Sequence, residues 1–189
     1  MKKKIVGMVA GLSMVCSVFA GDYQSKYVAH ATSSAINFPA SKGSLVLKTL
    51  HAESDKAAGL AKVYARTGNA KIVSSANDAG TTILVSNVGA QFVANDLIAY
   101  QHADGTLDYS TVASTNTTVS IVLNDAISQA GTAKDVVYEL SQQGQFDVAA
   151  ATVSYIGDAV FTTPDNSPLR IVVDSTSAGY VTATVLSDQ

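Results

Sequence analysis

Apolar and polar residues alternate with a period of two along most of the chain after residue 21, and no stretch there keeps the 3.6-residue spacing of an amphipathic helix. Residues 44–52 (SLVLKTLHA) and 60–66 (LAKVYAR) read as strands joined by the polar loop 54–59 (SDKAAG). Together they predict a long-tipped hairpin, ended by Thr67-Gly68-Asn69. A second block runs from 71 to 140. It holds the β-branched run 81–86 (TTILVS), a meander of 96–101, 106–113 and 118–123, and a returning strand at 136–140 (VVYEL). Residues 124–133 have room for one helical turn. Residues 141–145 (SQQGQ) read as a polar linker. The third block predicts strands at 147–156, 159–163, 169–174 (LRIVVD) and 180–186 (YVTATVL). Pro164 and Pro168 bound one turn in it, and 175–179 suit a hairpin turn.

The first and third blocks are each too small to bury a core alone. The expected fold is therefore all-β: a β-sandwich of the N- and C-terminal strands, residues 21–68 plus 145–189, with a small β-barrel or meander, residues 69–144, inserted between two of its strands. Gly68 and Gly144 mark the two junctions. A single continuous sandwich is the rival.

The first twenty residues change where this fold is expected to work. Lys2, Lys3 and Lys4 precede an uncharged, mostly apolar run, and Val18 and Ala20 sit at a small-residue cleavage position before Gly21. That pattern predicts a cleaved bacterial-type secretory signal over 1–20, and so an extracellular, cell-surface or periplasmic chain. The run is shorter than the roughly 20 residues a membrane-spanning helix needs, and no later stretch is apolar enough to span. Ser13-Met14-Val15 before Cys16 fits a lipoprotein signal poorly. Cys16 is the chain's one cysteine, so cleavage leaves no disulfide, thiol nucleophile or cysteine-based zinc site. It also removes three of the 12 basic residues and none of the 15 acidic ones, leaving 9 against 15, a net −6. That balance argues against nucleic acid and anionic membrane surfaces as partners.

One stretch gathers residues with chemistry. His102-Ala103-Asp104-Gly105-Thr106-Leu107-Asp108 holds an imidazole and carboxylates close in sequence. Read as a hairpin with Asp104-Gly105 in a type I′ turn, it pairs Ala103 with Thr106, His102 with Leu107 and Tyr100 with Tyr109. His102 and Asp108 then point to opposite faces and cannot act together. His51, Glu53 and Asp55 are a second candidate. On a continuing strand they share one face, with ligand types suited to a divalent ion, though a strand end running into a solvated loop explains them as well. The pairs Asn77-Asp78, Asn95-Asp96, Asn124-Asp125 and Asp165-Asn166 carry oxygens that calcium prefers, but their spacing matches no calcium loop and turn chemistry accounts for them. No nucleophile elbow, phosphate loop or zinc-protease helix motif is present.

No catalytic residue and no cofactor is therefore expected. The composition, with 47% hydrophobic and only 14% charged residues, leaves little charge to keep copies apart. The reading is an exported structural or assembly protein, such as a surface-layer, filament, sheath or matrix subunit, partnered by itself or by other surface proteins. A carbohydrate- or ligand-binding sandwich module is the alternative, and a hydrolase with a site built from distant residues is a third. Residues 22–42 offer two short strand pieces, 27–30 and 36–38, which pair either within the chain or on a neighbour's sheet edge.

Overall fold

In the last strand, β13 (Gly179–Ser187), Val181, Ala183, Val185 and Ser187 are buried while Tyr180, Thr182, Thr184 and Leu186 face outward. The same alternation shapes β3 (Leu45–Ser54), with one interruption. Leu45 and Leu47 point inward, and so do Leu50 and Ala52. The register against β13 slips between Thr184 and Val185, so an extra residue in β3 resets which positions face the core.

The computed structural model describes residues 22–30, 33–54, 58–74, 78–85, 92–116, 119–150, 153–156, 161–175 and 179–187. Regular structure in them is all strand. The other strands are β1 (Asp22–His30), β2 (Ser33–Phe38), β4 (Gly59–Ile72), β5 (Thr82–Leu84), β6 (Leu97–Gln101), β7 (Leu107–Asn116), β8 (Ser120–Leu123), β9 (Val136–Val148), β10 (Val153–Ile156), β11 (Phe161–Thr162) and β12 (Leu169–Ser175). One sheet runs β1-β13-β3-β10, with β11 also on β3. The other runs β2-β12-β4-β9-β6-β7-β8-β5. Among the described residues, neighbouring strands pair antiparallel throughout.

Setting aside β5 to β8, the connectivity is that of a jelly roll. β1 pairs β13, β2 pairs β12, β3 pairs β10 and β4 pairs β9, as in one long antiparallel ribbon. Wrapping that ribbon lays β13 against β3 and β12 against β4. The two sheets enclose a core that includes Phe38, Leu47, Leu50, Val63, Ile171 and Val185.

The middle strands extend the second sheet from the ribbon's far end. β4 and β9 stay paired across most of their length, but Thr67, Gly68 and Asn69 together stand opposite Glu139. Such a bulge bends a ribbon. Beyond it β9 takes β6 as its next neighbour, and β7, β8 and β5 follow. The sheet curls until Val85 forms a lone bridge with Val73 and Ser74 N donates to Leu84 O at 3.0 Å. This open curl has its own core around Ile83, Phe92, Ile98, Tyr100, Ile121 and Val137. Its outer side folds back on the jelly roll. The Arg170 guanidinium of β12 lies 3.9 Å from the ring centroid of Tyr109 in β7, and Gln101 Oε1 accepts from Ala40 N at 2.8 Å. Burial pushes the Tyr109 phenol well above the ordinary tyrosine range, and the nearby Arg170 charge only partly offsets this. The boundaries expected at 68 and 145 thus fall inside two paired strands, and the curl and the roll share one sheet.

Several local expectations are corrected. The strands at 44–52 and 60–66 do not form a hairpin, because β3 and β4 lie in opposite sheets. β12 and β13, which flank the expected turn at 175–179, likewise lie in different sheets. Both pairs bury one apolar face, and facing each other across the core satisfies that pattern as well as lying side by side does. Residues 67–69 do not end β4, and the polar stretch 141–145 is the middle of β9. Backbone pairing between the two long strands holds it extended despite its lack of apolar residues. Residues 124–133 form bends with no helical turn. β1 and β2 pair within the chain, on β13 and β12. The expected signal and Cys16 lie outside the described residues.

A carboxylate–histidine–carboxylate cluster as candidate functional site

The β6–β7 hairpin has a different turn from the one its sequence suggests. Tyr100 pairs with Asp108 and Gln101 with Leu107. His102 N donates to Thr106 O at 2.9 Å, and Gly105 N donates to His102 O at 2.9 Å. The loop is therefore three residues, Ala103-Asp104-Gly105, with Gly105 at φ +90°. A turn followed by a left-handed glycine is the common three-residue hairpin. One residue more in the loop shifts the register by one and reverses the expected faces. The expectation that His102 and Asp108 point apart is thus overturned: they share a face, and His102 Nε2 stands 2.9 Å from Asp108 Oδ2.

No side chain lies within 4 Å of a Cβ built on Gly105, so substitution there strains only the backbone. Gly105→Val is expected to cost about 1–2 kcal/mol, and Gly105→Asn clearly less, since asparagine tolerates left-handed backbone. Paired urea-unfolding curves check this. Equal losses for the two variants would contradict the turn assignment.

The loop between β8 and β9 completes the site from the other side. Asp135, just before β9, is 1% exposed, and His102 is 4% exposed. Asp135 Oδ2 lies 3.3 Å from His102 Nδ1. The same carboxylate accepts from Tyr100 Oη at 2.8 Å, Ala103 N at 2.9 Å, Thr132 N at 2.8 Å and Thr132 Oγ1 at 2.7 Å. Asp108 Oδ2 accepts from Ser128 N at 2.8 Å and Ser128 Oγ at 3.0 Å. The imidazole is thus wedged between two carboxylates, with the Tyr100 ring centroid 4.6 Å from its own.

Burial alone would raise the Asp135 carboxyl, but donors from Thr132, Tyr100 and Ala103 outweigh it and hold it below the ordinary aspartate range. The folded-state value is depressed, so the unfolded chain binds more protons in this window. The stabilisation is then present above about pH 4 and lost as pH falls through the folded value. Asp135→Asn is expected to flatten that acid limb of the stability profile, measured by urea unfolding from neutral pH downward. An unchanged limb would contradict the assignment.

Chemically the cluster is closed. His102 Nε2 is hydrogen bonded to Asp108, and Nδ1 faces the Asp135 carboxylate. The Ser128 hydroxyl donates to Asp108. A general base needs a free nitrogen within reach of a substrate proton. This arrangement ties the hairpin tip to the β8–β9 loop.

The other candidates are placed as follows. His51 is exposed and Glu53 half-buried on β3, while Asp55 lies outside the described residues. Among the described residues no group of three or more His, Cys, Asp or Glu could hold a metal ion. Asn95 and Asn166 take positive φ in turns, Asp96 accepts from Val93 N, and Asp125 N donates to Ser110 Oγ. Asn77 lies outside the described residues. The residue that sequence reading missed is Asp135. Its signal was Thr132 three positions ahead of it at a strand entrance, together with a glycine placed third in the hairpin loop.

No protein-family model and no curated protein matches the sequence. Among solved structures, the propeptide form of the Bacillus licheniformis lipase BlEst2 aligns at 8% identity and TM-score 0.23, over 88% of this chain and 22% of that one. The chain thus spans under a quarter of the lipase. VP17, a capsid protein of bacteriophage P23-77, aligns at 8% identity and TM-score 0.22, over 88% of this chain and 98% of that one. At such scores neither likeness carries an argument about what this chain does.

Proposed function

We propose that the chain is an exported, non-catalytic structural subunit that associates with copies of itself or with other surface proteins. The observation that carries this reading is the buried cluster: His102 sits inside the fold with Nε2 bonded to Asp108 and Nδ1 facing Asp135. Groups that elsewhere perform acid–base chemistry here bind one loop to another. The jelly roll supplies a rigid support for the curl, and the secretory-type N-terminus and sparse charge suit a subunit packed among neighbours. Among the described residues no helix is long and apolar enough to cross a membrane. Sedimentation velocity and electron microscopy of the chain beginning at Gly21 test the proposal. High-mass species that grow with concentration are expected. A single monomeric boundary at every concentration overturns it.

A second reading, a carbohydrate- or ligand-binding module, draws on Tyr180, which is 52% exposed on the outer side of the first sheet. Glycan-array binding that is lost in Tyr180→Ala would favour it.

A further inference from the structure

The curl rests on the roll through a contact that leaves polar groups unmet. Arg170 stands on the outer face of β12, in register between Asn37 of β2 and Tyr64 of β4. The Tyr109 ring of β7 covers its guanidinium, whose carbon lies 3.9 Å from the ring centroid. Stacking uses the flat face of a guanidinium and leaves its N–H groups along the edge. Nη1 donates to Asn37 Oδ1 at 3.4 Å, and among the described residues no carboxylate pairs with the charge. Burial pulls the guanidinium below the ordinary arginine range, and the groups that oppose this are the phenols of Tyr109 and Tyr64. Tyr109 Oη is itself enclosed and meets no hydrogen-bond partner among the described residues.

Few other bonds cross between the two parts. Ala40 N donates to Gln101 Oε1 at 2.8 Å, Gln101 Nε2 donates to Ala40 O at 3.5 Å, and Tyr138 Oη donates to Asn166 Oδ1 at 3.4 Å. Ala40 and Tyr64 of the roll pack with Leu97 and Tyr109 of the curl, all of them only partly buried. Each part also holds itself together, the roll by its own core and the curl by a separate core and the His102 cluster. They are joined by β4 and β9, whose register breaks where Thr67, Gly68 and Asn69 stand opposite Glu139. A bulge of this kind is where a ribbon bends. Docking therefore holds a desolvated charge without a counter-charge and a phenol without an acceptor, and both are costly. Undocking returns both groups to water but gives up the stack and the apolar contact. These terms oppose each other, and a polar contact between two parts of one chain permits relative motion.

We propose that the curl undocks from the roll as a body, hinging at the 67–69 bulge, and that Arg170 and Tyr109 set how readily it opens. The inference does not rest on the assembly reading: it concerns one chain and holds for a monomer.

Native-state hydrogen exchange of the chain beginning at Gly21 tests it. The Ala40 amide is a direct reporter, because its acceptor lies across the joint. It is expected to exchange through an opening that leaves the amides of His102, bonded within the curl, and of Ile171, in the middle of β12, protected. Tyr109→Phe removes the unmet hydroxyl and keeps the ring. It should slow Ala40 exchange about tenfold, the scale of relieving one unsatisfied buried group. Arg170→Met keeps an apolar stem over the ring without the charge, and should slow it likewise. Tyr109→Ala removes the stack and should speed it. Spin labels attached after Asp165→Cys and Thr106→Cys, both exposed positions, read the motion itself, since the chain from Gly21 has no other cysteine. Two distances are expected in wild type, with the minor one shrinking in Tyr109→Phe. A single distance, or an Ala40 amide that opens only together with Ile171, overturns the proposal. So does Ala40 exchange that Tyr109→Phe leaves unchanged, the result that fraying of residues 39–44 alone would give.

Discussion

Asp135→Ala is expected to destabilise the fold by about 3 kcal/mol or more, because it takes the acceptor away from several donors packed around a buried carboxylate. Its carboxylate gathers donors from Tyr100, Ala103 and Thr132, and its Oδ2 lies 3.3 Å from His102 Nδ1. Each buried donor left without an acceptor costs about 1–3 kcal/mol, and these losses do not simply add because the loop can relax and admit water. The substitution also unties three segments at once: the hairpin tip, the loop before β9, and β6 through Tyr100. Asp135→Asn keeps one acceptor oxygen but turns an amide N–H₂ toward existing donors, so its loss should fall between wild type and alanine. Urea unfolding at neutral pH measures both. A loss below about 1 kcal/mol for the alanine variant would show that the cluster holds nothing together.

The second large effect is expected at Ile171→Ala, at about 2–5 kcal/mol. Ile171 is fully buried on β12, between Ile36 of β2 and Val63 of β4, both also buried. Truncation there opens a cavity between two sheets that are each held by pairing on both sides, so collapse around it is limited. The next residue supplies the control. Val172 faces the other way and is half-buried, and Val172→Ala should cost clearly less, on the order of 0.5–1 kcal/mol. Equal losses at 171 and 172 would mean that β12 is not the central strand described.

The two-residue alternation made most strands legible. Residues 45–52, 97–101, 169–174 and 180–186 were expected and are extended, because a buried face must recur every second residue whatever the strand pairs with. The same rule is silent about partners. Leu47 and Val63 look the same whether their strands lie side by side or face each other across the core. The strands of the predicted hairpins therefore lie in different sheets. Polar stretches misled in the opposite way. Residues 141–145 carry no apolar pattern, yet pairing along β4 and β9 keeps them in a strand.

The candidate site shows where the division falls. From sequence alone, His102, Asp104, Gly105 and Asp108 are a hairpin tip, the chain is all-β, and its N- and C-terminal strands build a sandwich. The residue types and their period determine this much, because burial and turn geometry are local demands. Tertiary structure decided the rest. A glycine at φ +90° made the loop three residues instead of two, which turned Asp108 to the side of His102. Asp135, remote from the hairpin in sequence, arrives from the loop before β9 to meet His102 from the far side. Register and long-range pairing depend on the whole sheet, and no local pattern carries them.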